Sequence, residues 1–303
     1  MGVPPALAPG DEGWHPPGPE PRWSEWWYFD FASPDGSVGG YVRVGRYPNL
    51  GVVWYWACLA GPRRPAVMVI DHEVRPPVRE GSLELRASGL WADHNCETPF
   101  EHWSVGLEAS AVSLDDPLDA YRGSLGQPVP LGFDLEWETD GEVFAHPPPL
   151  DGYEVPCRVH GEVLVGRERL ELDGVGQRNH AWGGDDRWAG TWCWTAFHVE
   201  GGSHHLLEVA PGSSRAIGYR QLPGSGPVEV LEGSVAWTEG RERLPRQIDL
   251  TAAGERIGVT PLVWAPVLVE GPGGRRTRLP RALARFEGAA GPGVGWVEVN
   301  QPE

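Results

Sequence analysis

The segment of residues 174–188 holds the densest group of side chains in the sequence that could move protons or contact a ligand. Its members are His180, Trp182, Asp185, Asp186 and Trp188. In an extended chain, residues two positions apart point to one side, so we expect His180 and Trp182 to face a common site. The glycines that follow would let the chain turn and bring both aspartates to that site. The alternative is a structural corner, in which His180 caps backbone carbonyls and Arg187 pairs with an aspartate.

Asp185 and Asp186 are the acids that this segment offers for proton transfer. A carboxyl group in an apolar pocket can have its pKa raised by about 3–5 pH units, which keeps it protonated near neutral pH. An adjacent second carboxylate reinforces the effect. Indole faces can stabilise a nearby cation by roughly 0.5–2 kcal/mol per ring, so three or four rings supply less than the ~8 kcal/mol that an enzyme typically provides. The acid and the folded conformation of the bound substrate must therefore provide the rest.

Glu25 is a further candidate for a catalytic carboxylate. It precedes a run of aromatic residues, and the alternation of an extended strand puts it on the same face as Trp27 and the phenylalanines that follow. A carboxylate on an aromatic face is paired with a cation, shifted in pKa, or functional. The alternative to a catalytic role is a salt bridge to Arg22 or Arg43.

Tryptophan is unusually abundant in this sequence, with 16 residues against 7 Phe and 7 Tyr. Because an indole carries an N–H group that needs a partner, so many rings favour the wall of a pocket for a large apolar guest over a plain core. We expect the partner to be a hydrophobic small molecule. The residues predicted to bind it are Trp27, Trp54, Trp56, Trp182, Trp188, Trp192, Trp194 and Asn179. Paired tryptophans such as Trp54 and Trp56 could equally be barrel core.

Short strands must position these residues, because helical periodicity is absent. Segments such as 103–108 and 133–138 alternate between apolar and polar residues, as half-buried strands do. Such strands recur with turn residues between them, which predicts an all-β fold whose antiparallel meanders close into barrels or sandwiches. A proline-rich break at residues 146–150 suggests two domains, at 22–150 and 151–303. Residues 1–21, rich in proline, are expected to form an extended arm.

Charge and composition exclude several other classes of function. The net charge of -17 argues against nucleic acid or an anionic membrane surface as the main partner. No apolar run approaches ~20 residues, and the N-terminus does not read as a signal peptide, so we expect a cytoplasmic protein. Four scattered cysteines indicate reduced thiols. We expect no cofactor and no metal site, since His94 and the pair His204–His205 lack further ligands at metal spacing. The oligomeric state stays open.

Three blocks of the sequence resemble a known family. The block from Gly176 to Trp194 resembles the Gly-x-x-x-Asp-His-x-Trp-Gly…Trp-x-Trp signature of the carotenoid 1,2-hydratase/AttH-like proteins. Residues 25–29 resemble the family's first strand, Glu-Trp-Trp-Tyr-Phe, and residues 293–298 resemble its last, Gly-x-Gly-Tyr-x-Glu. With the strand pattern, the resemblance spans nearly the whole chain. It implies two tandem lipocalin-like β-barrels with a ligand site between or inside them. It also implies water addition to isoprenoid double bonds or, as in related fungal proteins, guided intramolecular cycloaddition.

One departure from the family pattern affects the expected chemistry. Asn179 stands where the family has an aspartate before the histidine. If that aspartate donates a proton, this chain must use another acid or catalyse a different reaction. The family roles carry over to His180 and Trp182, and more loosely to Asp185 or Asp186. We therefore expect a cofactor-free lyase or cyclase acting on an isoprenoid or polyketide-like substrate. The alternatives are a non-catalytic carrier of a hydrophobic molecule and a pericyclase that only folds its substrate.

Overall fold

The protein is all-β, as predicted. A computed structural model describes residues 7–123, 126–148, 150–184, 186–271 and 276–303. Its strands form two large antiparallel sheets that lie one after the other in the sequence. Within the described ranges, the only helices are short 3-10 turns at Pro9–Glu12, Pro48–Leu50, Pro117–Arg122, Arg187–Ala189 and Arg241–Arg243. No helix in this part of the chain is both long and apolar enough to cross a membrane.

The first sheet closes into a barrel. Its strands are β1 (Ser24–Ala32), β2 (Gly39–Tyr47), β3 (Val52–Gly61), β4 (Arg64–Val74), β5 (Leu85–Ala87), β6 (Leu90–Thr98), β7 (His102–Leu114), β8 (Gln127–Thr139), β9 (Phe144–Ala145), β10 (Asp151–Val165) and β11 (Glu168–Gly183). They pair in the order β4-β3-β2-β1-β11-β10-β8-β7-β6-β5, and β4 also pairs with β7. That additional pairing joins the two halves of the order into a closed ring, which leaves β5, β6 and β9 outside it.

The second sheet curls in the same way. Its strands are β12 (Trp192–Val199), β13 (Ser203–Val209), β14 (Ala216–Gln221), β15 (Val228–Glu229), β16 (Gly233–Glu239), β17 (Pro245–Ala252), β18 (Glu255–Trp264), β19 (Val267–Glu270), β20 (Arg276–Leu279), β21 (Arg281–Gly288) and β22 (Gly291–Pro302). Their order is β15-β14-β13-β12-β22-β21-β18-β17-β16. A backbone bridge between Arg215 and Glu232 connects its two ends. The fold is thus two tandem lipocalin-like antiparallel β-barrels.

The division between the sheets falls later in the chain than the expected boundary at residue 150. β10 and β11, which cover residues 151–183, pair with β8 and β1 in the first sheet, and the second sheet begins at Trp192. The proline-rich break at 146–150 is only the loop between β9 and β10, closed by a hydrogen bond from Leu150 N–H to the Pro147 carbonyl. Residues 184–191 connect the two sheets instead.

The alternation of β1 divides its side chains between two environments. Trp27, Phe29 and Phe31 belong to the apolar core inside the first barrel. Tyr28 belongs instead to the core between the barrels, and Trp26 packs at its edge. Alternate residues of β1 therefore contribute to the interior of the first barrel and to its contact with the second barrel.

The N-terminal arm packs across one end of the first barrel and inserts a carboxylate into it. Glu12 is only 4% exposed. It pairs with Arg178 over 2.9 and 3.1 Å and accepts hydrogen bonds from the Trp103 indole, the Phe100 N–H and the Tyr153 hydroxyl. An arm expected to be extended is thus anchored by an ion pair whose two partners are both buried.

Replacing Glu12 by glutamine should destabilise the whole protein, because it leaves the buried Arg178 without a counter-ion. Breaking a buried pair in this way costs about 3–5 kcal/mol. Urea unfolding followed by tryptophan fluorescence measures the loss. Glu20→Gln, at an exposed site on the same arm, should change the free energy of unfolding by no more than about 0.5 kcal/mol. An E12Q protein as stable as wild type would contradict this role of the arm.

Candidate functional site

A cavity of about 490 Å³ lies between the two barrels. Its volume is that of a site for a small organic molecule. Five tryptophans contribute to its wall, namely Trp26, Trp182, Trp188, Trp192 and Trp194. Four of these five are among the residues that the sequence analysis proposed for ligand binding, and Asn179, also proposed there, lines the cavity too.

A row of polar side chains crosses four neighbouring strands on one side of this cavity. Arg43 of β2 is opposite Tyr28 of β1. Tyr28 is opposite Asn179 of β11, which in turn is opposite Glu154 of β10. All four residues line the cavity. Because residues in register share a face of the sheet, the row has a cation at one end and a carboxylate at the other.

Glu154 is held in the cavity wall by neutral donors. Its side chain is 3% exposed. It accepts hydrogen bonds from Asn179 Nδ2 at 2.6 Å and from Gln177 Nε2 at 3.2 Å. His146 Nε2 lies 3.2 Å from the same carboxylate. Asn179, the departure from the resembled family, thus serves as a donor to the carboxylate on the adjacent strand.

Two other glutamates of the wall are paired with arginines. Glu208 accepts from Arg187 at 2.9 Å, and Glu298 forms an ion pair with Arg281. Glu154 has no arginine within ion-pair distance in the described part of the chain. The two remaining carboxylates of the wall, Glu20 and Asp151, are exposed.

Behind Tyr28 lies a second acidic group. Asp30 is buried, and burial raises its pKa to about 7, although hydrogen bonds from the Gln177 N–H and the Tyr28 hydroxyl act in the opposite direction. Those two hydrogen bonds measure 2.9 and 3.0 Å. Arg281 in turn donates to the Tyr28 oxygen over 2.7 Å. The row across the strands is thus continuous with a buried polar network beneath it.

The remaining predicted tryptophans lie outside the cavity wall. Trp27 points into the first barrel, where it stacks on His180 at 4.3 Å between ring centroids. Trp54 and Trp56 pack behind Trp188, with ring centroids 6.3 and 5.7 Å away. They support the wall from the core between the barrels. The sequence analysis had offered the wall of the pocket or the core of a barrel for this pair.

His180 and Glu25 meet inside the first barrel rather than in the cavity. His180 Nε2 is 3.1 Å from Glu25 Oε1, and both side chains are almost fully buried. His180 and Trp182 do share a face, with ring centroids 5.1 Å apart, but Asn179 between the flanking strands points to the other side. The arginine that forms a salt bridge with Glu25 is Arg46, at 2.5 Å. The sequence analysis had suggested Arg22 or Arg43 for this salt bridge.

Of the two aspartates that the sequence analysis predicted to be catalytic, only Asp186 lies within the described residues. Asp186 pairs with Arg22 over 2.5 Å and lines a second, much smaller pocket, together with Trp54. Asp185 lies outside the described residues. If the segment were only a structural corner, Arg187 was expected to pair with an aspartate. Arg187 pairs with Glu208 instead.

Three ligand atoms inside the first barrel lie close enough together to hold a metal ion. They belong to His15, Glu25 and His180 and lie within 4.8 Å of one another. His15 Nδ1 is 2.8 Å from Glu25 Oε1, and Arg46 occupies the other carboxylate oxygen. The contacts are therefore also accounted for by hydrogen bonds that fasten the arm to β1 and β11.

Sequence reasoning missed Glu154, Arg43 and Trp26. All three follow from one signal, the register of β1 and β11 with their neighbours. Once Asn179 is assigned to the cavity face, pairing across β11 and β10 adds Glu154, and pairing through β1 to β2 adds Arg43. The sequence does not contain that register in a readable form, because it depends on which distant strands pair.

The fold is that of two lipocalin-like barrels with a cavity of about 490 Å³ between them. The chain belongs to the family described as a domain of unknown function, DUF7064, whose family model matches residues 8–303. No curated protein matches the sequence.

Several solved structures share the fold. The structure of an AttH candidate from Nitrosomonas europaea is similar with a TM-score of 0.69 at 13% identity, covering 97% of this chain and 97% of that chain. Kievitone hydratase from Nectria haematococca has a TM-score of 0.59 at 12% identity, covering 91% of this chain and 88% of that chain. CghA has a TM-score of 0.57 at 11% identity, with 93% and 88% covered.

The cluster at His15 should give the stability of the protein a measurable pH dependence. Burial alone would lower the pKa of His15, but hydrogen bonds and charges from Glu25 and Asp11 outweigh burial and raise it. A histidine with a raised pKa in the folded state stabilises the protein fully below its unfolded value of 6.5, and this contribution is lost as the pH rises through the folded value.

The measurement is the difference in free energy of unfolding between wild type and His15→Gln. That difference should be larger at pH 5.5 than at pH 8.5. His15 also stacks on Trp182 at 3.5 Å, and the loss of this contact contributes equally at both pH values. A difference that does not change with pH would show that His15 acts by packing alone.

Proposed function

We propose that the protein is a cofactor-free lyase or cyclase that transfers protons to and from a hydrophobic, isoprenoid or polyketide-like molecule in the cavity between its barrels. One observation carries the proposal, namely that Glu154, a buried carboxylate without an arginine partner, lines a cavity walled by five indoles. Fold relatives support the class of reaction, since one of them is a hydratase by name. Another, CghA, has a solved structure with Sch210972.

Glu154 is the proposed acid–base group. In its protonated form it would give its proton to one carbon of a double bond, forming a C–H bond as the π bond breaks and leaving a cation on the neighbouring carbon. Water or an internal nucleophile then closes the reaction, and the carboxylate takes up the proton that is released. With that proton Glu154 is ready for the next cycle, and His146 Nε2, 3.2 Å from the carboxylate, helps to hold it in place.

The tryptophans of the wall would stabilise the cation and exclude bulk water. An indole face contributes roughly 0.5–2 kcal/mol to a nearby cation, so the rings assist the acid but do not replace it. Asn179 supports Glu154 in either protonation state, because its amide can donate to a carboxylate or accept from a carboxylic acid.

The residues first predicted to be catalytic remain alternative candidates. Asp186 pairs with Arg22 and lines the second pocket, and Asp185 stays a candidate on its sequence position alone. His180 and Glu25 face the interior of the first barrel, so a role for them requires a ligand there. Glu154 is preferred because it already lines the cavity.

Replacing Glu154 by glutamine should abolish turnover while leaving ligand affinity intact. General acid–base catalysis contributes about 10²–10⁴-fold in rate, and glutamine preserves the shape of the side chain and, through its carbonyl oxygen, the hydrogen bond from Asn179. The assay incubates protein with isoprenoid and polyketide extracts, captures the ligand by native mass spectrometry, and follows product formation in deuterated water. Glu162→Gln, on the same strand β10 but paired with Arg169, is the matched control and should retain full activity.

Two comparisons separate the alternatives. If the double variant Asp185→Asn/Asp186→Asn loses turnover and Glu154→Gln does not, the acid belongs to the 180–186 segment. A ligand that every variant returns unchanged would identify a carrier. A product formed without deuterium at carbon, at a rate independent of pH and of Glu154, would identify a pericyclase.

A further inference from the structure

Arg43 is a buried arginine at the end of the polar row opposite Glu154. It is 5% exposed and lines the cavity between the barrels. Its guanidinium lies over the indoles of Trp56, Trp188 and Trp26, at 4.8, 5.2 and 5.6 Å from the ring centroids. These faces hold the charge in a fixed position, and cation–π contacts compensate part of the cost of burying it.

No carboxylate in the described part of the chain forms an ion pair with this arginine. Its Nη1 is buried and makes no hydrogen bond. The other two arginines of the cavity wall differ in this respect, because Arg187 pairs with Glu208 and Arg281 with Glu298. The Tyr47 hydroxyl and the Glu298 carboxylate raise the pKa of Arg43, but burial outweighs them and lowers it. A buried charge in such a state lacks the partner that usually accompanies it.

We propose that the ligand of this cavity is a hydrophobic organic acid whose anionic oxygen atoms bind Arg43. This inference rests on the proposed function and adds the class of substrate to it. A planar guanidinium fits a carboxylate, an enolate or a similar oxyanion with two N–H donors. The protein as a whole carries a charge of -17, so an anion needs a local cation to be held here.

The polar row also determines how far the anionic group of the ligand lies from the double bond that Glu154 would protonate. Arg43 and Glu154 are three strand spacings apart across β2, β1, β11 and β10, which is about 14 Å between their backbones. A ligand anchored at Arg43 would extend its apolar part under Trp182 and Trp192 toward Glu154. The acidic end of the ligand is thus kept away from the Glu154 carboxylate, and the hydrocarbon end of the ligand is brought to that carboxylate.

A pair of fluorescent probes tests the inference without knowledge of the natural ligand. The anion 8-anilino-1-naphthalenesulfonate and the neutral N-phenyl-1-naphthylamine differ by a single sulfonate group. Binding of each to wild-type protein and to Arg43→Met is measured by titration, with quenching of tryptophan fluorescence to report occupancy of the cavity. We expect Arg43→Met to weaken the anion at least tenfold, which corresponds to about 1.4 kcal/mol, and to change affinity for the neutral probe less than threefold.

Two further variants control for charge and for folding. Arg169→Met removes one positive charge from an exposed site and should leave the affinity of both probes at the wild-type value. Arg43→Lys retains the charge and should recover part of the affinity for the anion. Thermal unfolding of each variant establishes that it is folded under the conditions of the titration.

Each outcome has a definite meaning. Selective loss of the anion in Arg43→Met supports the inference. Unchanged affinity for the anion, or an equal loss for both probes, would overturn it and would leave Arg43 as a structural element between the indoles. In that case the proposed function stands as long as the neutral probe still binds. If neither probe binds wild-type protein in the cavity, the proposed function fails as well.

Discussion

The pairing of β1 with β11 is the constraint on which the rest of the structure depends. It joins the beginning of the sequence to residues 168–183 and completes the ring of the first barrel. Because side chains alternate along both strands, the same pairing builds two separate polar groups. Glu25 and His180 meet on the inner face, whereas Tyr28 and Asn179 meet on the face toward the second barrel. A shift of one residue would exchange these two sets.

The sequence contained enough information for the class of fold but not for the site. Strand periodicity and the three family-like blocks predicted two β-barrels, and the count of tryptophans predicted an aromatic cavity. The boundary at residue 150 failed because a proline-rich loop within a sheet has the same composition as a linker. Glu154 and Arg43 were missed because a lone charged residue in a strand has no local signature. Their importance comes from neighbours that are distant in sequence, and only the register of the strands brings them together.

Apart from the exposed Glu20 and Asp151, the charges of the cavity wall are arranged in arginine–glutamate pairs, with one exception at each end of the polar row. Arg187 and Arg281 are each neutralised by a glutamate, so they shape the wall without favouring either sign of ligand. Arg43 and Glu154 are left without an oppositely charged partner, at opposite ends of one row across the sheet. Such a separation gives the cavity a direction, which orients a guest before any bond is made or broken. An aromatic wall alone would accept the same guest in either orientation.

The anchoring of the arm by Glu12 also determines when the first barrel can finish folding during synthesis. Its partner Arg178 lies 166 residues further along the chain. At translation rates of about 5–20 residues per second, this interval lasts roughly 8–33 s. For that time the aromatic strands at the beginning of the chain lack their last neighbour β11, and the arm lacks the buried cation that anchors it. The nascent chain therefore exposes apolar surface over a long period, which is the situation in which chaperones act on newly made proteins.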